Sequence, residues 1–107
     1  MDKHVMIDIE TFGLETYSLV AALGAVKFTK EEGIIDTFYQ KLKLQEQMDK
    51  GMFADEITLR WWFEQDKQAQ QEIFKNSKSV EGVLSDFDRF MVFDNVKTIW
   101  ACGTNID

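Results

Sequence analysis

One stretch of the chain has the pattern of an amphipathic helix, and the rest of the fold must supply a partner for its single apolar stripe. Val80, Val83, Leu84, Phe87, Phe90 and Met91 follow the i, i+3, i+4, i+7 spacing over residues 80–93, with Ser79 in place as N-cap. Such a stripe buries itself against a flat apolar surface. Residues 4–9 are a β-rich run, 19–29 a second and 34–42 a third, and Glu31-Glu32-Gly33 forms the turn between the last two. This predicts an antiparallel hairpin after a first strand. Gly24 interrupts the second run and marks either a bulge or a close backbone approach. Residues 45–53 are polar, contain Gly51 and keep no period, so they read as a connecting loop. From Asp55 the period turns helical, with Ile57, Leu59, Trp61, Trp62 and Phe63 on more than one side, which predicts a short helix packed on two neighbours. Ala69, Ile73 and Phe74 add another helical turn or two, and residues 96–102 read as a fourth strand. The order β-β-β, helices, β describes an α/β fold whose last strand can lie parallel beside the first.

Composition narrows the setting. The 107 residues carry 12 Lys+Arg against 19 Asp+Glu, a formal charge of −7. At this length roughly two thirds of the unfolded surface can be buried, enough for one core in one domain over residues 1–107. The single cysteine, Cys102, excludes a disulfide within the chain and a cysteine-built zinc site, which points to a cytoplasmic setting. No apolar stretch approaches the ~20 residues that span a bilayer, and Met1-Asp-Lys-His lacks the regions of a signal peptide, so neither secretion nor a membrane partner is expected. Net negative charge also counts against nucleic-acid binding through a basic face. A phosphate substrate would need cations from outside.

Asp8 and Glu10 lie two apart near the end of the first strand, so their side chains leave the same face while Ile7 and Ile9 point into the core. Two carboxylates converging on one small volume repel each other unless a cation sits between them. A hard divalent ion such as Mg²⁺ takes carboxylate oxygens at about 2.0–2.1 Å and keeps several waters. Taken alone the pair equally describes a solvated strand end. Three other features invite similar readings. His4, a lone strand histidine, reads as structural. Asp86 and Asp88 diverge on their helix and read as solvated surface. Trp61 and Trp62 point about 100° apart; one could reach a cleft, but core packing is the plainer reading for both.

The surroundings of the carboxylate pair carry a family resemblance. Asp8-Ile-Glu-Thr-Phe-Gly13 resembles the Asp-x-Glu-Thr motif of the DEDD 3′–5′ exonuclease superfamily, whose fold is ribonuclease-H-like. Trp100-Ala-Cys-Gly-Thr-Asn-Ile-Asp107 resembles that superfamily's next motif, in which an Asp follows a strand and a Gly-containing turn. Thr58-Leu-Arg-Trp-Trp62, followed by Gln65 and Ala69, is similar to the Thr-x-x-Trp-Trp helix of the branch holding the phage exonuclease A-type enzymes and bacterial 3′–5′ exoribonucleases. Cys102 and Ile106 depart from the residues usual in that branch.

The resemblance implies a mixed sheet of three antiparallel strands, then helices, then a parallel strand, incomplete at its C-terminal side. It implies a metal-dependent 3′–5′ exonuclease in which Asp8 bridges two Mg²⁺ or Mn²⁺ ions, with Glu10 and Asp107 as further ligands and catalytic residues. The ions would bind the scissile phosphate, activate water and stabilise the leaving 3′ oxygen. Thr11, Phe12 and Gly13 would line the terminal nucleotide of RNA or DNA, Phe12 by stacking on a base and Gly13 by admitting close backbone approach. Phe12 reads equally well as a core residue. In the family a later motif supplies a His or Tyr base and a fourth Asp, so this chain is expected to be the N-terminal part and catalytically incomplete. The competing reading is a degenerate exonuclease-like module that binds nucleic acid or protein without turnover. A fourth strand with one open edge, carrying Val96, Ile99 and Trp100, further suggests a homodimer.

Overall fold

The computed structural model describes residues 2–13, 15–92 and 96–101. Eight elements follow one another: β1 (His4–Thr11), β2 (Val20–Thr29), β3 (Gly33–Lys41), α1 (Gln45–Asp49), α2 (Glu56–Phe63), α3 (Lys67–Glu72), α4 (Val80–Val92) and β4 (Thr98–Ala101). The sheet runs β3-β2-β1-β4, with β1 antiparallel to β2, β2 antiparallel to β3, and β4 parallel to β1. This is the mixed arrangement the order of patterns predicts, and it matches the ribonuclease-H-like sheet that the resemblance implies. Among the described residues no helix is long and apolar enough to cross a membrane.

Alternation along β1 decides which face of the sheet is covered. Ile7 and Ile9 pack against a cluster of Leu23, Leu42 and Val83, joined by Phe38 and Phe87, so α4 lies over that face. The fully buried Val83 side chain alone contributes roughly 1.5–3 kcal/mol of hydrophobic stabilisation. Phe38 meets both Phe87 and Phe90 at ring-centroid distances of 5.5 Å. Ser79 caps α4 as expected, its Oγ accepting the Gly82 N–H at 3.0 Å, while the Glu46 carboxylate accepts the N–H of Val80. At the other end of α4, the buried Lys27 ammonium donates to the carbonyl of Phe90 at 2.6 Å and lies 4.1 Å from the centre of its ring. A cation is favoured at that helix end, where carbonyls point outward unpaired.

Several expectations are corrected. Residues 45–53 contain the helix α1, held by a buried polar side chain rather than by an apolar stripe. Gln47 Oε1 accepts the Val20 N–H at 2.8 Å, and Nε2 donates to the carbonyls of Val20 and Lys43 at 2.9 and 3.0 Å. No hydrophobic period marks such a helix in sequence. Gly24 is not a bulge; the register slips between Glu10 and Thr11 and between Lys27 and Phe28. Helix α2 packs on one side, through Trp62, and not on two: Ile57 is 83 % exposed and Phe63 74 %. Trp61 is also half exposed, so the core reading fails for that tryptophan. Asp86 is a junction and not solvated surface, since its carboxylate meets Lys78, Arg89 and Gln40. The hydrogen bonds from Gln40 and Lys78 hold its carboxyl below the ordinary carboxylate range. The His4 ring lies 5.4 Å from that of Phe28 and tilted against it, in keeping with the structural role expected of it.

Replacing Gln47 with Leu leaves the backbone N–H and C=O of Val20 without their side-chain partner in a buried setting. The variant is expected to lose about 1–3 kcal/mol in urea unfolding, far more than an isosteric change at an exposed α1 position such as Asp49→Asn.

Candidate functional site

With α4 over one face, β1 presents Asp8 and Glu10 to the other, and both side chains are exposed. The register sets their neighbours. Asp8 lies opposite Gly24, which in turn lies opposite Tyr39; Glu10 lies opposite Ala22, which lies opposite Lys41. Small residues on β2 therefore keep the middle of this face low, and an open hollow of about 320 Å³ runs over it from Asp8 to Tyr39. The Tyr39 hydroxyl donates to Glu10 Oε2 at 3.1 Å. Burial, then the charge and the hydrogen bond of Glu10, then the charge of Glu72, push the Tyr39 phenol up to about 12, so it is a proton donor to the carboxylate throughout the neutral range. Among the described residues neither Asp8 nor Glu10 has an ion-pair partner.

The segment that follows Glu10 is clamped to the rest of the chain. Phe12 N–H donates to Leu19 O at 2.9 Å, and its carbonyl accepts the Asp55 N–H at 3.0 Å. Its ring, only 5 % exposed, packs with Leu19 and Ala21 and lies 5.3 Å from that of Trp62. Of the two readings of Phe12, core residue and stacking platform, the core reading describes its position, because Trp62 already occupies the ring. Thr11 Oγ1 donates to Gly13 O at 2.6 Å. A Cβ on Gly13 would stand 2.3 Å from Ser18 Oγ and 2.9 Å from Asp55 Oδ2, so the close approach that glycine permits here is by this chain's own side chains. Asp55 also caps α2, accepting the Thr58 N–H at 2.7 Å. The segment thus fixes α2 to the end of β1 that bears the carboxylates.

Helix α3 is fixed to the same face by Lys41, whose Nζ donates to Glu72 O at 2.5 Å and lies 3.3 Å from Glu72 Oε1. A second hollow, about 290 Å³, lies between Tyr39 and Lys41 on the sheet and Trp62, Ala69 and Ile73 on the helices. A larger hollow, about 620 Å³, lies elsewhere among the described residues, between α1 and α4. Two of its polar groups are engaged in holding the fold: Glu46 caps α4 and Gln47 pairs with Val20.

Asp107, the third expected ligand, lies outside the described residues, as does Cys102. Among the described residues no third His, Cys, Asp or Glu joins Asp8 and Glu10 in a cluster able to hold a metal. Sequence reasoning missed Tyr39 and Lys41, both on β3. The period-two pattern of residues 34–42 could have put them on one face, but only the register of the hairpin brings that face to Glu10.

The family model of the 3′-5′ exoribonuclease Rv2179c-like domain matches residues 3–107, taking in both β1 carboxylates and the Trp-Trp helix. The chain belongs to this family. No curated protein matches the chain closely enough to count as a relative. Within the Rv2179c-like family the chain is a nuclease-type domain, and the face described above is where its carboxylates are exposed. Gly13→Ala is expected to lower thermal stability by about 1–3 kcal/mol, the usual cost of overpacking, because the methyl group must displace Ser18 or Asp55. Thr11→Val, which removes only one part-buried hydrogen bond, should cost less.

Proposed function

We propose that this domain acts on the 3′ end of RNA by metal-dependent phosphodiester hydrolysis, with Asp8 and Glu10 as ligands and Asp107 completing the set. The observation that carries the reading is the pair of exposed carboxylates on one strand face, with no ion-pair partner among the described residues, above a floor of small residues. The donor set suits Mg²⁺ or Mn²⁺, since hard oxygen donors with room for water are what these ions take. A divalent cation held there would supply Lewis-acid polarisation of the phosphodiester and offset its charge. The chain's own contribution is placement. Burial of Ile7 and Ile9 fixes the direction of both carboxylates, and the hydroxyl of Tyr39 fixes one oxygen of Glu10. Thr11, Phe12 and Gly13 follow the carboxylates directly and would border the terminal nucleotide as a fixed frame, the Phe12 ring itself being held in the core. RNA is favoured over DNA by the description of the family, and the net charge of −7 makes a bound cation the means of approach for a phosphate chain.

Calorimetric titration with Mn²⁺ is expected to give heat that disappears in Asp8→Ala. Mn²⁺ should also be required for shortening of a 5′-labelled oligoribonucleotide, with the matched DNA the poorer substrate. Retention without shortening would favour the non-hydrolytic binding module. Equal heats from wild type and Asp8→Ala would overturn the metal reading.

The proposal extends to a second copy of the chain. Strand β4 pairs only with β1 among the described residues, and Ile99 and Trp100 on it are more than half exposed, a strand edge suited to meeting another. Light scattering across a micromolar concentration series is expected to show a mass rising above 12.5 kDa, and Trp100→Lys should hold it at the monomer value. A wild-type mass that stays at the monomer throughout would exclude the homodimer.

A further inference from the structure

Gly24 sits in the interior of β2, where a glycine weakens a strand and a larger residue would ordinarily serve better. Nothing in its backbone calls for glycine. It lies in regular pairing between Asp8 and Tyr39, and its φ is not in the left-handed region. Nor does crowding forbid a methyl group: a Cβ there would lie 3.5 Å from Tyr39 Cδ2, 3.6 Å from Asp8 O and 3.8 Å from Phe38 O, all ordinary contacts. What the missing side chain does allow is the course of the Tyr39 ring. Tyr39 starts on β3, packs its ring edge over Gly24, and reaches across β2 to place its hydroxyl 3.1 Å from Glu10 Oε2 on β1. A tyrosine standing upright on β3 beside a bulky neighbour would not span that strand.

We infer that Tyr39 is a positioning residue for Glu10, acting through the gap left by Gly24: it holds one carboxylate oxygen so that the other is presented as a donor beside Asp8. The inference rests on the reading of Asp8 and Glu10 as metal ligands and adds the part that orders them. Glu10 is exposed and turns about several single bonds, so without a fixed partner it samples many positions. A hydrogen-bonded partner behind a ligating carboxylate commonly controls metal affinity by one to two orders of magnitude.

Two readouts separate this role from simple packing. In metal-free protein, the Hα–Hβ couplings of Glu10 measured by NMR should report one rotamer in the wild type and averaging in Tyr39→Phe, which keeps the ring and loses the hydroxyl. Mn²⁺ affinity in the same variant should fall roughly tenfold, while the unfolding midpoint without metal stays close to the wild type. Gly24→Ala should leave both readouts near wild type, whereas Gly24→Val, whose branches occupy the path of the ring, should behave as Tyr39→Phe does. Wild-type couplings and affinity in Tyr39→Phe overturn the role assigned to Tyr39 and leave the metal reading standing. A wild-type protein that takes up no Mn²⁺ overturns the metal reading and this role together.

Discussion

The packing of Ile7 and Ile9 into the cluster of Leu23, Leu42 and Val83 is the constraint on which the rest of the molecule depends. A strand must turn alternate residues to opposite faces, so packing two isoleucines into the cluster around Val83 commits Asp8 and Glu10 to the uncovered side. No local preference of the acidic residues is needed to put them there. A slip of one residue in the β1 register would exchange the two pairs and turn both carboxylates into the apolar cluster, where they would have to be desolvated and protonated. The position of the candidate site is in this sense a by-product of core formation on the opposite face.

Much of the architecture is legible in the sequence. The three β-rich runs, the capped helix from Val80 and the parallel return beside β1 all rest on long periodic patterns, and these are set by burial. What escaped reading was held by single polar contacts. Helix α1 exists because the Gln47 amide pairs with the backbone of Val20, twenty-seven residues away, and no period in the segment announces it. The slip of register next to Glu10 sets Ala21 outside the regular pairing with β1 and accompanies the turn of Phe12 into the core; no glycine marks it, whereas Gly24, which suggests either a bulge or a close approach, sits in regular pairing. The carboxylate pair was legible as a pair, from the spacing alone, but Tyr39 was not, since a residue twenty-nine positions distant is brought to Glu10 only by the hairpin register.

The Asp-x-Glu-Thr-Phe-Gly segment also looks different once its surroundings are known. Read as sequence, Thr11, Phe12 and Gly13 invite roles in contact with a nucleotide. In the fold, their side chains and spaces are engaged with Ser18, Leu19, Asp55 and Trp62, and what they do is join β1 to α2. A motif of this kind can be specific to a family because it builds the frame of a site as well as because it touches the ligand. Exposed apolar side chains on α2, Ile57 and Phe63 among them, show the reverse case, a helical segment whose pattern suggested two packed sides and whose fold provides one.

The buried ammonium of Lys27 has a consequence for how the fold comes together. On the isolated β2–β3 hairpin that charge would lie on the apolar face, opposite Asp36 in the register and open to water; in the fold it is 2 % exposed, bonded to the last turn of α4. Docking of the helix strips the ion of its hydration and supplies a carbonyl and an aromatic ring in return, so a helix that is close but misaligned takes the water away without giving those contacts. Loose collapse of this sheet against this helix is penalised where a purely aliphatic interface would tolerate sliding. Lys27 thus selects a single registration of α4 on the sheet, and it makes the passage from separate pieces to the assembled domain more nearly all-or-none.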